Sequence, residues 1–150
     1  MTSESTGLHY IFAAGTGILP FLDLFDYLLE DSIEDKAKGK SLFDNGFKLH
    51  VFASFSSIKD FIGLEICEKL SQLCKAKGLS EAFQLTVKAG DAHHNDLYHV
   101  TDSKFDKRFI EKNVKRESER AFVCGPPEFN ELIPGQLEEL GLSRKNIILV

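Results

Sequence analysis

Short apolar runs alternate along this chain with segments whose apolar residues recur at helical spacing. The first run, Tyr10, Ile11, Phe12, Ala13 and Ala14, has strand character and stops at Gly15, Thr16 and Gly17. Leu22, Phe25, Leu28 and Leu29 then follow at helical intervals that fade near Ser32, so the opening predicts strand, tight loop and helix. Residues 30–40 are mostly charged and predict a solvated helix end or a loop. Asp44, Asn45 and Gly46 supply turn chemistry before a second strand over residues 47–53, with an exit loop at 54–57. Ile62, Ile66, Leu70, Leu73 and Cys74 share one face of a helix predicted over 61–77 and stopped by Gly78. Residues 82–89 alternate apolar and polar, which predicts a third strand lying at a sheet edge. A polar loop over 90–102 leads to a helix marked by Phe105, Phe109 and Ile110, capped by Asp102 or Ser103 and ending at Val114. Residues 121–124 form a continuous apolar run, as in a strand buried on both faces, cut off by Gly125, Pro126 and Pro127. Phe129, Leu132, Ile133, Leu137 and Leu140 predict a last helix, bent at Pro134 and stopped by Gly141, before a fifth strand over 146–150.

Five strands alternating with helices predict an α/β fold: an open five-stranded parallel sheet with helices on both faces and right-handed crossovers, Rossmann-like in type. The 150 residues and 43% hydrophobic content suit one domain over residues 1–150. In such sheets a ligand lies at the carboxyl ends of the strands where strand order reverses, usually between the first and fourth strands. That places Gly15, Thr16 and Gly17 beside Cys124, Gly125 and Pro126. Glycines let a ligand approach the main chain, and the first N–H groups of the following helix lack intrahelical partners, so an anion is the expected guest. No Lys-Ser/Thr pair follows the glycines, which excludes a P-loop. Pro20 stands where the dinucleotide fingerprint has its third glycine, a departure that a helix's first turn accommodates.

The net charge of −5 argues against a nucleic-acid or anionic-membrane surface, so an anionic ligand must be held by local dipoles. No apolar run approaches the ~20 residues that span a bilayer, and the chain as given is expected to be soluble. Its three cysteines, Cys67, Cys74 and Cys124, are odd in number and match no metal spacing. This predicts free thiols in the cytoplasm or another reducing intracellular compartment. Cys67 and Cys74 lie about 10 Å apart along one predicted helix, too far for a disulfide. His93, His94 and His99 have no acidic or cysteine partner at a recognised ligand spacing, so no metal site is expected.

Two separated motifs in the same order, Ala14-Gly15-Thr16-Gly17-Ile18-Leu19-Pro20-Phe21 and Cys124-Gly125-Pro126-Pro127-Glu128-Phe129, resemble the nicotinamide-dinucleotide domain of the ferredoxin-NADP reductase superfamily. The branch of the cytochrome b5 and nitrate reductases is the most similar. The resemblance implies that Gly15, Thr16, Gly17 and Pro20 contact the pyrophosphate or nicotinamide half of NAD(P)H. It also implies that Ser54, Phe55 and Ser56 border the adenine ribose. Cys124, Gly125 and Pro126 would then sit beside the nicotinamide, Cys124 in the catalytic position, with Phe129 supporting the loop. FAD would be held by a flavin-binding domain, in cis or in trans, and the electrons would pass to an acceptor protein or haem domain. The isolated chain would bind nucleotide but barely turn over. NADH is favoured over NADPH, because the loop over 53–60 has no Arg and its Lys59 stands beside Asp60. The competing expectation is a doubly wound binding or signalling module without redox chemistry. A phospho-acceptor of that kind needs an acid at a strand end, whereas the first two strands end in Ala14-Gly15 and Ala53-Ser54.

Overall fold

A computed structural model describes residues 7–33 and 41–150. The charged segment predicted as a helix end or loop lies largely outside the described residues. Strand β1 (Leu8–Ala14) runs into a 3-10 turn over Gly15–Phe21, which passes directly into helix α1 (Leu22–Ile33). The expected tight loop is therefore itself helical. Next come β2 (Lys48–Ser54), α2 (Leu64–Ala76), β3 (Phe83–Lys88), β4 (His99–Val100) and α3 (Lys107–Asn113). The chain then continues through β5 (Arg120–Cys124), α4 (Pro127–Leu140) and β6 (Ile147–Leu149). Helix α4 is continuous through Pro134.

Among the described residues there are six strands, all parallel, in the order β4-β3-β2-β1-β5-β6. The five-strand expectation is corrected by β4, two residues inside the segment expected to be an irregular polar loop. Its pairing, Thr86 with His99 and Val87 with Val100, also displaces β3 from the edge. The alternation in β3 has another cause. Phe83, Leu85 and Val87 are buried toward α1 and α2, whereas Gln84, Thr86 and Lys88 stay half-exposed on a face that no helix fully covers. Alternation reports one-sided burial, which an edge shares with an uncovered inner strand.

The sheet separates two cores. Ile11 and Ala13 of β1, Leu49, Val51 and Ala53 of β2, and Leu85 and Val87 of β3 pack with Phe25, Leu28, Cys67, Leu70 and Cys74 on the side of α1 and α2. Tyr10, Phe12, Phe52, Ala121 and Val123 pack with Phe109, Ile110, Ile133 and Leu137 on the side of α3 and α4. Cys67 and Cys74 are thus packing residues with free thiols. Burial pushes both thiols up from their ordinary range, Cys74 to about 11, so neither ionises near neutral pH. Helix α3 starts later than its sequence suggests. Asp106, rather than Asp102 or Ser103, caps it, accepting from the Phe109 N–H at 2.9 Å. Phe105 precedes the cap and packs on Phe109 at 5.0 Å, anchoring the chain where it enters the helix. Among the described residues no helix is long and apolar enough to cross a membrane.

Candidate functional site

Strand order reverses at β1, which lies between β2 and β5. The register places Ala14 beside Ser54 and Ser54 beside Lys88, with Ala13 beside Cys124, so the carboxyl ends of four strands lie side by side where the ligand crevice is expected. The two glycine-bearing segments meet here as expected, but the glycines do different work. Gly15 has φ +57°, a left-handed conformation, and a Cβ built on it would meet nothing within 4 Å. It turns the chain out of β1 and leaves open space beside the main chain. Gly17 is buried, and a Cβ there would collide with the Cys124 carbonyl oxygen and come 3.0 Å from the Gly125 nitrogen. It is the contact that joins the β1 exit to the β5 exit.

Gly125 is held just as closely. A Cβ on it would lie 2.6 Å from the Phe129 ring and 3.2 Å from the Ala14 Cβ. Asn130, one turn into α4, donates from Nδ2 to the Gly125 carbonyl oxygen at 2.9 Å. The Phe129 ring thus packs against Gly125, and Asn130 is a second contact on this loop that the spacing did not reveal. Pro126 precedes α4 in extended conformation and no side chain caps that helix. No side chain caps the turn at Gly15–Phe21 either. Two uncapped helical N-termini thus converge on the crevice, presenting N–H groups and the positive ends of their dipoles. Thr16, Pro20 and Pro126 are exposed and Cys124 is half-buried at the end of β5.

The β2 exit is built differently from the other two. Ser54 is half-buried and Ser56 exposed, but Phe55 turns into the core, 7% exposed, and stacks on Phe61 with centroids 4.5 Å apart. Its ring is committed to packing. Ser57 and Ile58 are tied to Asp91, whose carboxylate accepts from Ser57 Oγ at 2.6 Å and from the Ile58 N–H at 2.7 Å. These bonds, with a smaller contribution from Lys59, hold the Asp91 carboxyl below its ordinary range. A negative charge is thereby fixed beside the exposed Lys59, far from it in sequence.

Among the described residues no three metal-ligating side chains come together, and His93 and His94 are exposed. A cleft of about 730 Å³ lies elsewhere, along α3 over β2, β3 and β4.

No family model matches the sequence, and no curated protein matches it. Solved structures do. The cytochrome b5 reductase domain of Ulva prolifera nitrate reductase matches with TM-score 0.65 and 16% identity, over 100% of this chain and 50% of that one. The fold is the one that the resemblance to the ferredoxin-NADP reductase superfamily implies. The CS-b5R domains of human Ncb5or, solved in an NAD+ form, match with TM-score 0.61 and 18% identity over 99% of this chain and 39% of that one. Flavohemoglobin from Malassezia yamatoensis, with bound FAD and heme, matches with TM-score 0.60 and 16% identity over 100% and 32%. The chain thus spans half or less of the length of these structures.

Proposed function

We propose that residues 1–150 are the pyridine-nucleotide-binding domain of a flavin-dependent oxidoreductase. The observation that carries the reading is the seat of Gly17 against the Cys124 carbonyl, which brings two uncapped helical N-termini together at the point where strand order reverses. The likeness to reductase and flavohemoglobin structures supports the same reading. The crevice fits a pyrophosphate: Gly15 leaves open space beside the main chain, and no side chain caps the first N–H groups of the turn. Thr16 and Pro20 border that position, and Ser54 and Ser56 with the main chain at Phe55 border the ribose. When bound, a nicotinamide supplies a hydride to a flavin that another domain holds, in cis or in trans, on the way to an acceptor protein or haem. This chain's own part is to bind and orient. Cys124 and Gly125 present a small surface beside the nicotinamide position, and Phe129 and Asn130 hold that surface in place.

NADH is the preferred nucleotide. The β2 exit has no Arg, and the Asp91 carboxylate, fixed on Ser57 and Ile58, adds a negative charge where a 2′-phosphate would lie. Parallel calorimetric titrations with NADH and NADPH at low ionic strength test both statements. NADH should bind in the micromolar to millimolar range and more tightly than NADPH. Failure of both nucleotides at millimolar concentration would overturn the functional reading, and NADPH tighter by about tenfold would overturn the assignment of the loop.

A further inference from the structure

Helix α3 leaves the sheet face over β2, β3 and β4 partly uncovered, and a cleft of about 730 Å³ runs between them. That size lies within the roughly 300–1,000 Å³ of small-molecule sites. Its sheet side carries His50, Gln84, Thr86 and His99, and its helix side carries Arg108 and Lys112, four residues apart on α3 and so on one face, followed by Lys115. This is the basic part of an acidic chain. Residues 104–116 hold six Lys and Arg against two acids, whereas the chain as a whole carries −5.

Among the described residues, none of Arg108, Lys112 and Lys115 is in an ion pair, although Lys107, on the same helix, pairs with Glu139 at 3.6 Å. The lining acids are Glu81 and Asp106, and Asp106 is committed to capping α3. At the inner end stands Tyr10, 0% exposed. Its hydroxyl oxygen accepts from the Lys115 N–H at 2.9 Å, and among the described residues no acceptor takes its own proton.

We propose that this cleft is a second ligand site, separate from the nucleotide crevice, for a small phosphorylated polyhydroxy compound of the sugar-phosphate class. The phosphate lies on Arg108, Lys112 and Lys115, where a guanidinium fork and two ammonium groups stand without carboxylate partners. Its hydroxyls lie on Gln84, Thr86 and His99, side chains that both donate and accept, and on the Nδ1 of His50, whose Nε2 is held by the Glu81 carbonyl at 3.2 Å. A flat apolar guest fits less well, because the rings of Tyr10, Phe52 and Phe109 are all more than nine-tenths buried and offer little face.

The test is a set of parallel shift titrations of the 15N-labelled chain with ribose 5-phosphate, ribose and inorganic phosphate. Ribose 5-phosphate should move the amide signals of Thr86, Val100, Arg108, Lys112 and Lys115 at millimolar concentration, and Arg108→Gln should weaken it by about tenfold or more. Ribose alone should leave those signals still, and inorganic phosphate should bind about tenfold more weakly than the ester. Arg108 is exposed, so the variant should melt like the parent. Equal binding of phosphate and its ester would reduce the site to a diffuse basic surface. That result, silence of all three probes, or unchanged affinity in Arg108→Gln would overturn the proposal. NADH, which should move Gly15 and Gly125 instead, reports on the other site independently.

Discussion

The crevice at the ends of β1 and β5 and the cleft beneath α3 are built by opposite means. The crevice is a main-chain construction: its shape comes from glycines at Gly15, Gly17 and Gly125, its charge from uncapped helical ends, and side chains only brace it. The cleft is a side-chain construction, its charge carried by Arg108, Lys112 and Lys115 and its floor by alternate residues of β2 and β3. Main-chain sites tolerate few substitutions at the glycines and many elsewhere. Side-chain sites do the reverse, because each exposed cation can be replaced without moving the fold.

The sharpest way to break this contrast is Gly17→Val. A side chain there must displace the Cys124 carbonyl, which is main chain and has nowhere to go, so a loss of stability on the order of 3 kcal/mol is expected in urea unfolding. Gly15→Ala faces open space and pays only for its left-handed backbone, roughly 1–2 kcal/mol. Near-equal losses at the two positions would mean that the close approach at Gly17 is not what joins the segments.

Gly125→Ala comes next. Its new methyl meets the Phe129 ring, which can turn aside, so about 1–2 kcal/mol should be lost. Combining it with Phe129→Leu should cost less than the sum of the two single changes, because the smaller side chain removes the clash. Strict additivity in a double-mutant cycle would show that Phe129 does not brace the loop.

Where the sequence was informative, the information was local. The strand and helix at the N-terminus and the strand and Gly-Pro-Pro stop before α4 follow from neighbours within a few residues, and each has its expected place. Helix α2 keeps Leu70 and Cys74 on its buried face, but it starts at Leu64 rather than Phe61 and leaves Ile62 exposed ahead of it. What was hidden depends on residues far apart. The role of Gly17 is set by Cys124, the β2 exit is held by Asp91, and β4 exists only because Thr86 and Val87 accept His99 and Val100 as partners. Phe55 shows the same limit from the other side, since its position suggested a ribose contact and Phe61 drew its ring into the core. The basic run over residues 104–116 was visible in the sequence, but its alignment along one cleft was not.

The smallest effect expected is a titration. The Asp91 carboxyl is held below its ordinary value of 3.8, so its bonds to Ser57 and Ile58 stabilise the loop above the unfolded value and are lost only as pH falls through the lower folded one. The Ile58 amide signal should therefore titrate with a midpoint below 3.8 and stay flat through neutral pH. A midpoint at or above that value would mean that Asp91 does not hold the β2 exit.

The central claim is that the main-chain crevice, and not the cleft beneath α3, receives the nucleotide. Mapping NADH onto the 15N-labelled chain tests it most directly. The account predicts that NADH moves the amide signals of Gly15, Thr16, Gly17 and Gly125, with Ser54 and Ser56 following at the ribose end. Shifts confined to Thr86, Val100 and Arg108, with the glycine signals unmoved, would contradict it.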